Sequence, residues 1–203
     1  MSLNRHKSVI SFLLLVLLTT VVQATTVLQQ SLPAMTKNAE LIFEGTVVGL
    51  QAERSGKRIY TWVTFEVTDV IKGDYHDSII KLRYLGGKVA DMRIEIAEMS
   101  LPKMGEVGIY LVESTSKQTV HPLIGWGQGH FLVKSDKKTA RLKIYNSQGL
   151  PVLNIDVPSE NRLTKISSRI AAGVKLGSAS NSGRLDNRPM DVKDFKMQLK
   201  AWR

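Results

Sequence analysis

Short runs in which apolar and polar residues alternate recur along the chain, and this period of two is typical of half-buried β-strands. The clearest run, RIYTWVTFEVTDVIKG at 58–73, places Ile59, Val63, Phe65, Val67 and Ile71 on one predicted face. Seven or eight such strands at fairly regular spacing favour a β-barrel or a β-sandwich. The other predicted strands lie at 41–50, 78–85, 92–99, 107–114, 130–135, 140–146 and 151–157.

A period near 3.6 residues replaces the alternation at both ends of the predicted β-domain. Residues 31–38 predict a short helix with Ser31 as N-cap and Pro33 in the first turn. Residues 177–189 have the composition of a flexible linker between two amphipathic helical stripes. The first stripe contains Leu163, Ile166, Ile170 and Val174, and the second contains Val192, Phe195, Leu199 and Trp202.

The first 24 residues have the organisation of a signal peptide. A basic start is followed by the apolar run 9–18 and by small residues before a predicted cleavage after Ala24. An uncleaved N-terminal anchor is the alternative. We therefore expect export to the periplasm or the medium, with a β-domain at 25–158 and a basic, partly helical extension at 159–203. The chain contains no cysteine, which excludes disulfides, thiolate metal sites and cysteine nucleophiles.

The positive charge is unevenly distributed. The whole chain carries a formal charge of +10, but residues 25–158 carry only +2 and residues 159–203 carry +6. A nearly neutral β-domain does not predict a nucleic-acid partner, whereas the basic extension would suit an anionic envelope surface or an acidic protein partner. No second apolar run is long enough to span a membrane after signal cleavage.

Several strand and turn motifs resemble a known group of domains. AELIFEGTV at 39–47, YTWVTFEV at 60–67 and VIKG at 70–73 are similar to the opening strands of netrin-like, tissue-inhibitor-like OB-fold domains. The chain also resembles a family of uncharacterised exported bacterial proteins in its later turns, over about 39–135 in all. The resemblance implies a closed, OB-like Greek-key barrel of short antiparallel strands. The cysteine-dependent inhibition of metalloproteases found in that group cannot apply to a chain without cysteine. The later turn motifs are Gly86-Gly87, Gly105-Glu106 and the GWGQGHF segment at 125–131.

The segment HPLIGWGQGHF at 121–131 is the main candidate for a site. His121 and His130 could meet across a loop, with Asp136 or Glu113 as an acid partner. HExxH, GxSxG and SxxK motifs are absent, so we assign no catalytic residue, metal ligand or cofactor. A strand rather than a helix follows the glycines, which favours a backbone bend over a phosphate-binding loop. Trp126, flanked by His121 and His130, is left as the candidate binding surface.

These observations predict an exported all-β domain with a short N-terminal helix and a helical C-terminal extension. We expect a non-enzymatic binding or interaction module of the cell envelope. An exported hydrolase using His121 and His130 is one alternative. Peripheral membrane association through the basic extension is the other.

Overall fold

The computed structural model describes residues 28–96, 99, 101–155, 170–177 and 188–203. The predicted signal peptide, most of the first helical stripe and most of the predicted linker lie outside these residues. Two helices, ten strands and one 3-10 helix form the described part. They are α1 (Leu32–Asn38), β1 (Leu41–Ser55), β2 (Arg58–Lys72), β3 (Ile79–Leu85), β4 (Gly87–Val89), β5 (Met92–Ile94), β6 (Val107–Val112), the 3-10 helix (Trp126–Gly129), β7 (His130–Ser135), β8 (Leu142–Asn146), β9 (Val152–Ile155), β10 (Val174–Leu176) and α2 (Val192–Ala201).

Six strands form one antiparallel sheet in the order β3-β2-β1-β6-β7-β8. The mostly-β prediction is confirmed, but the expected closure into a barrel is wrong. Closure would require β3 and β8 to pair, and the outer side of β8 is already occupied. The Ile144 N–H donates to the Met190 carbonyl over 3.0 Å, and Lys143 and Tyr145 form bridges to Asp191 and Pro151.

The sheet carries an apolar layer on each face. Phe43, Phe65 and Tyr110 pack together on one face, with ring centroids 4.6–5.5 Å apart. The other face packs against α1, α2 and the β9–β10 ribbon, which forms a separate two-stranded sheet. We call the first layer the aromatic core; its buried members are Leu41, Phe43, Val47, Val63, Phe65, Ile80, Leu82, Tyr84, Tyr110, Val112 and Leu123.

β-bulges change which side chains share a face. Shifts in the β1–β2 register occur between Ile42 and Phe43, between Glu44 and Gly45, and between Val47 and Gly49. An extra residue in one strand of a pair moves the following side chains to the opposite face. The prediction that Ile71 shares a face with Phe65 is therefore wrong, since Ile71 packs with the helices while Phe65 lies in the aromatic core.

Two predicted strands differ in extent. β1 extends to Ser55, five residues beyond the predicted end at residue 50, whereas β2 matches the run predicted at 58–73. The strand predicted at 92–99 is reduced to β5, which pairs only with β4 in a separate two-stranded sheet. Met92 of β5 is 38% exposed.

Both terminal helices pack on the sheet. The Ser31 side chain accepts the Ala34 N–H at the start of α1, as predicted. Val192, Phe195 and Leu199 are buried, which confirms the second amphipathic stripe. Lys196, between them, contacts the carboxylates of Glu44 and Asp69. Val174, the last residue of the first predicted stripe, lies in β10 and pairs with Ile155 of β9, so the helical prediction is wrong at this position.

Candidate functional site

The predicted site residues lie on the connection between β6 and β7. His121 and Trp126 are in the loop, and His130 is the first residue of β7. The loop returns along β6, since Leu123 bridges to Val112 and the Ile124 N–H donates to the Leu111 carbonyl over 2.9 Å. All residues from 121 to 133 are buried except Trp126, which is half-buried. The loop is therefore part of the packed interior, with one side chain at the surface.

The glycine-rich stretch is a tight bend into β7, as predicted. It forms the 3-10 helix that directly precedes His130. A Cβ atom at Gly129 would lie 2.5 Å from the Ile124 carbonyl oxygen, so no larger residue fits there without a backbone shift. Trp126 itself has a positive φ of 58°. For a bulky side chain this conformation carries a cost of about 1–3 kcal/mol, which the surrounding fold must offset.

His121 is enclosed by aromatic rings. It is only 2% exposed, and its Nδ1 accepts the Leu123 N–H over 3.1 Å. Tyr84 meets the imidazole edge-on at 5.1 Å, and Trp126 stacks on it at 6.1 Å. Burial lowers the pKa of His121 to about 4, and nearby His130 adds to the effect, although the Leu123 backbone opposes it. His121 is therefore neutral near pH 7.

His130 contacts an acid that the sequence patterns did not indicate. Its Nε2 lies 2.8 Å from Oε1 of Glu106, although the ring N–H does not form a hydrogen bond with that oxygen. The Tyr110 ring stacks on His130 at a centroid distance of 4.9 Å. The Tyr110 hydroxyl donates to the same Glu106 oxygen over 3.4 Å. Neither Asp136 nor Glu113, the predicted acid partners, takes this place.

Alternation along β6 explains how Glu106 reaches the histidine. Glu106, Gly108 and Tyr110 are two residues apart and so point to the same face. A Cβ atom at Gly108 would lie 2.8 Å from the Tyr110 hydroxyl oxygen, so this glycine leaves room for the tyrosine to fold back toward Glu106. The signal in the sequence that could have identified Glu106 was therefore this i, i+2, i+4 spacing. The spacing is obscured because β6 is apolar on both faces.

The two tyrosines stay protonated in this environment. Burial, with a contribution from the Glu106 charge, raises the pKa of Tyr84 and of Tyr110 well above the ordinary value. The buried Tyr84 hydroxyl has no hydrogen-bond partner among the described residues. We call Tyr84, Glu106, Tyr110, His121 and His130 the histidine–tyrosine cluster.

The histidine–tyrosine cluster contains an acid–base pair that is largely buried. His130 is 3% exposed, and the Glu106 side chain is 17% exposed. A cavity of about 710 Å³ lies elsewhere, between the end of β3 and the β4–β5 hairpin. Its lining residues are Leu85, Gly86, Gly87, Lys88, Arg93, Ile94, Glu95, Ile96, Met99 and Leu101, none of which belongs to the cluster.

Two features, a metal-binding group of side chains and a membrane-spanning helix, are absent from the described residues. Within those ranges, no group of three or more His, Cys, Asp or Glu side chains is arranged to hold a metal ion. None of the helices in the same part of the chain is long and apolar enough to cross a membrane.

Comparison with known proteins provides no relative for this chain. No protein-family model matches it, and neither a curated protein nor a solved structure is significantly similar.

Proposed function

We propose that this protein is an exported, non-enzymatic binding module of the cell envelope, with Trp126 in its contact surface. The observation that carries the proposal is the burial pattern of residues 121–133, in which Trp126 alone is not buried. His121 stacks on this side chain from inside, and neither His121 nor His130 faces solvent. An amphipathic indole on a tightly packed loop offers a large contact area at low entropic cost.

The conformation of Trp126 supports the same proposal. A bulky residue at φ 58° is strained, and strained residues cluster at ligand-contacting positions. The stack on His121, itself held by the Leu123 N–H, limits the motion of the indole. The ring is therefore preorganised for contact. The resemblance to netrin-like, tissue-inhibitor-like domains is a further argument for a binding role and is itself part of the proposal.

Affinity capture tests the role of Trp126. The immobilised chain without its first 24 residues is incubated with solubilised envelope from the source organism, beside Trp126→Ala and Trp62→Ala variants. Trp62, on β2, is a suitable control because it is also half-buried. Its Nε1–H donates a hydrogen bond to Oε1 of Glu53. Wild type and Trp62→Ala should retain the same species, and Trp126→Ala should lose them while keeping the native circular dichroism spectrum. Identical retention by all three proteins would contradict the proposal.

A further inference from the structure

The β7–β8 hairpin concentrates positive charge. We call residues 134–143 the basic hairpin; it contains five basic residues and one acid, a net charge of +4. The whole segment 25–158 carries only +2, so its remainder carries −2. The charge asymmetry thus lies within the β-domain itself and not only in the C-terminal extension. The basic residues are Lys134, Lys137, Lys138, Arg141 and Lys143.

The acid in the basic hairpin is used to shape its turn. Asp136 Oδ1 accepts the N–H groups of Lys138 and Thr139 over 2.8 and 2.9 Å. Those hydrogen bonds lower the pKa of Asp136, so the carboxylate stays ionised and engaged with the backbone. The Asp136 N–H also donates to the Arg141 carbonyl over 2.8 Å. The turn therefore presents Lys137 and Lys138 from a structured tip, and both are exposed.

The register of the basic hairpin places two lysines opposite each other, which by itself destabilises the paired strands. Lys134 and Lys143 are direct partners across the two strands, and like charges in that position are destabilising. Lys134 lies over the Tyr145 ring at 5.0 Å, and Lys143 lies 3.1 Å from Asp191, which reduces the repulsion. The charge repulsion is thus offset within the fold, and the tip with Lys137 and Lys138 is the exposed basic part of the hairpin.

We propose that the basic hairpin docks on the surface of an anionic lipid bilayer. Lysine and arginine side chains are attracted to anionic headgroups, and an apolar side chain among them inserts at the interface. Leu142 offers an apolar side chain on the same hairpin, since it is 49% exposed. Alternation along β8 turns it to the face opposite to Arg141 and Lys143, which both lie near Asp191. The basic hairpin contains no aromatic residue for stacking on bases, which favours a bilayer over single-stranded nucleic acid. This inference rests on the proposed function in one respect only, namely that the protein is located in the cell envelope.

Vesicle co-sedimentation tests this docking surface. The chain without its first 24 residues is mixed with vesicles of phosphatidylglycerol and phosphatidylcholine in equal parts, and with phosphatidylcholine vesicles alone. We expect binding only to the anionic vesicles, with an affinity that falls as salt is raised. Lys137→Gln/Lys138→Gln should weaken it by roughly thirty-fold, since each basic side chain near such a surface contributes about a five-fold factor in affinity.

A matched control separates a defined surface from net charge. Lys57→Gln/Arg58→Gln removes the same charge at the tip of the β1–β2 hairpin and should leave vesicle binding nearly unchanged. Equal losses in the two double variants would overturn the proposal, as would absence of binding to anionic vesicles or tighter binding to duplex DNA. Trp126→Ala should bind the vesicles like wild type, so this experiment fails or succeeds independently of the capture experiment.

Discussion

His121 and His130 act in this structure as flat, polar groups packed against two tyrosines of the aromatic core. Each packs against a tyrosine ring, and each is less than 4% exposed. Their positions on either side of the glycine-rich segment were visible in the sequence, but their burial was not. Burial depends on how the loop returns along β6, and that contact is set by tertiary structure. Glu106 was missed for the same reason, because its partner lies on a neighbouring strand.

Burial of His121 predicts a pH-dependent stability. Its pKa is about 4 in the folded chain against an ordinary value of 6.5, so the unfolded chain binds the proton more readily. The stabilisation is complete above about pH 6.5 and is lost as the pH falls toward 4. The full shift corresponds to about 3 kcal/mol of unfolding free energy. Urea unfolding near pH 7 and near pH 4 measures it.

A neutral substitution isolates the contribution of His121 from those of other titrating groups. His121→Gln keeps a hydrogen-bond acceptor for the Leu123 N–H but cannot be protonated in this range. Its free energy of unfolding should therefore fall less than that of wild type over the same pH interval. An equal fall in both proteins would show that His121 is not the group responsible.

Individual strands and helices follow local sequence patterns, whereas the pairing registers and contacts between them do not. Alternation predicted most strands and helical periodicity predicted α2, because both signals arise from neighbouring residues. The bulges in the β1–β2 hairpin were not predicted, since they depend on the pairing register. Likewise, α2 was recognisable from Phe195 and Leu199, but the ion pairs of Lys196 join residues more than a hundred positions apart.

Lys196 is expected to stabilise the docking of α2. Burial alone would lower the pKa of Lys196, but the hydrogen bonds that its ammonium donates to Glu44 and Asp69 outweigh burial, and the pKa is raised. Lys196→Met leaves the 8%-exposed Glu44 without its cation, which should cost about 2 kcal/mol of unfolding free energy. Thermal or urea unfolding at neutral pH measures the loss.

Two further variants serve as controls for this ion pair. Lys193→Met changes an exposed lysine of the same helix and should alter stability by less than about 0.5 kcal/mol. Adding Glu44→Gln to Lys196→Met should recover part of the loss, because the uncompensated buried charge is removed. Equal effects of Lys193→Met and Lys196→Met would contradict a specific role for Lys196.

The whole molecule is an open antiparallel sheet covered on one face by helices and the β9–β10 ribbon. The sequence predicted an all-β domain but not this arrangement, because strand spacing does not reveal which edges pair. Residues 190–191 cover β8, and they lie far from it in sequence. At this scale residues 188–203 pack on the sheet, and the surface contacts proposed above involve Trp126 and the basic hairpin.

The central claim is that the histidines of the candidate site are interior packing groups. Three histidines follow residue 24: His76, His121 and His130. The most direct test is modification of the folded chain by diethylpyrocarbonate, with the modified sites identified by mass spectrometry and a urea-unfolded sample as control. The structure predicts rapid modification of His76, whose side chain is 88% exposed, and protection of the other two until the chain unfolds. Modification of His121 or His130 in the folded protein at the rate of His76 would contradict the account.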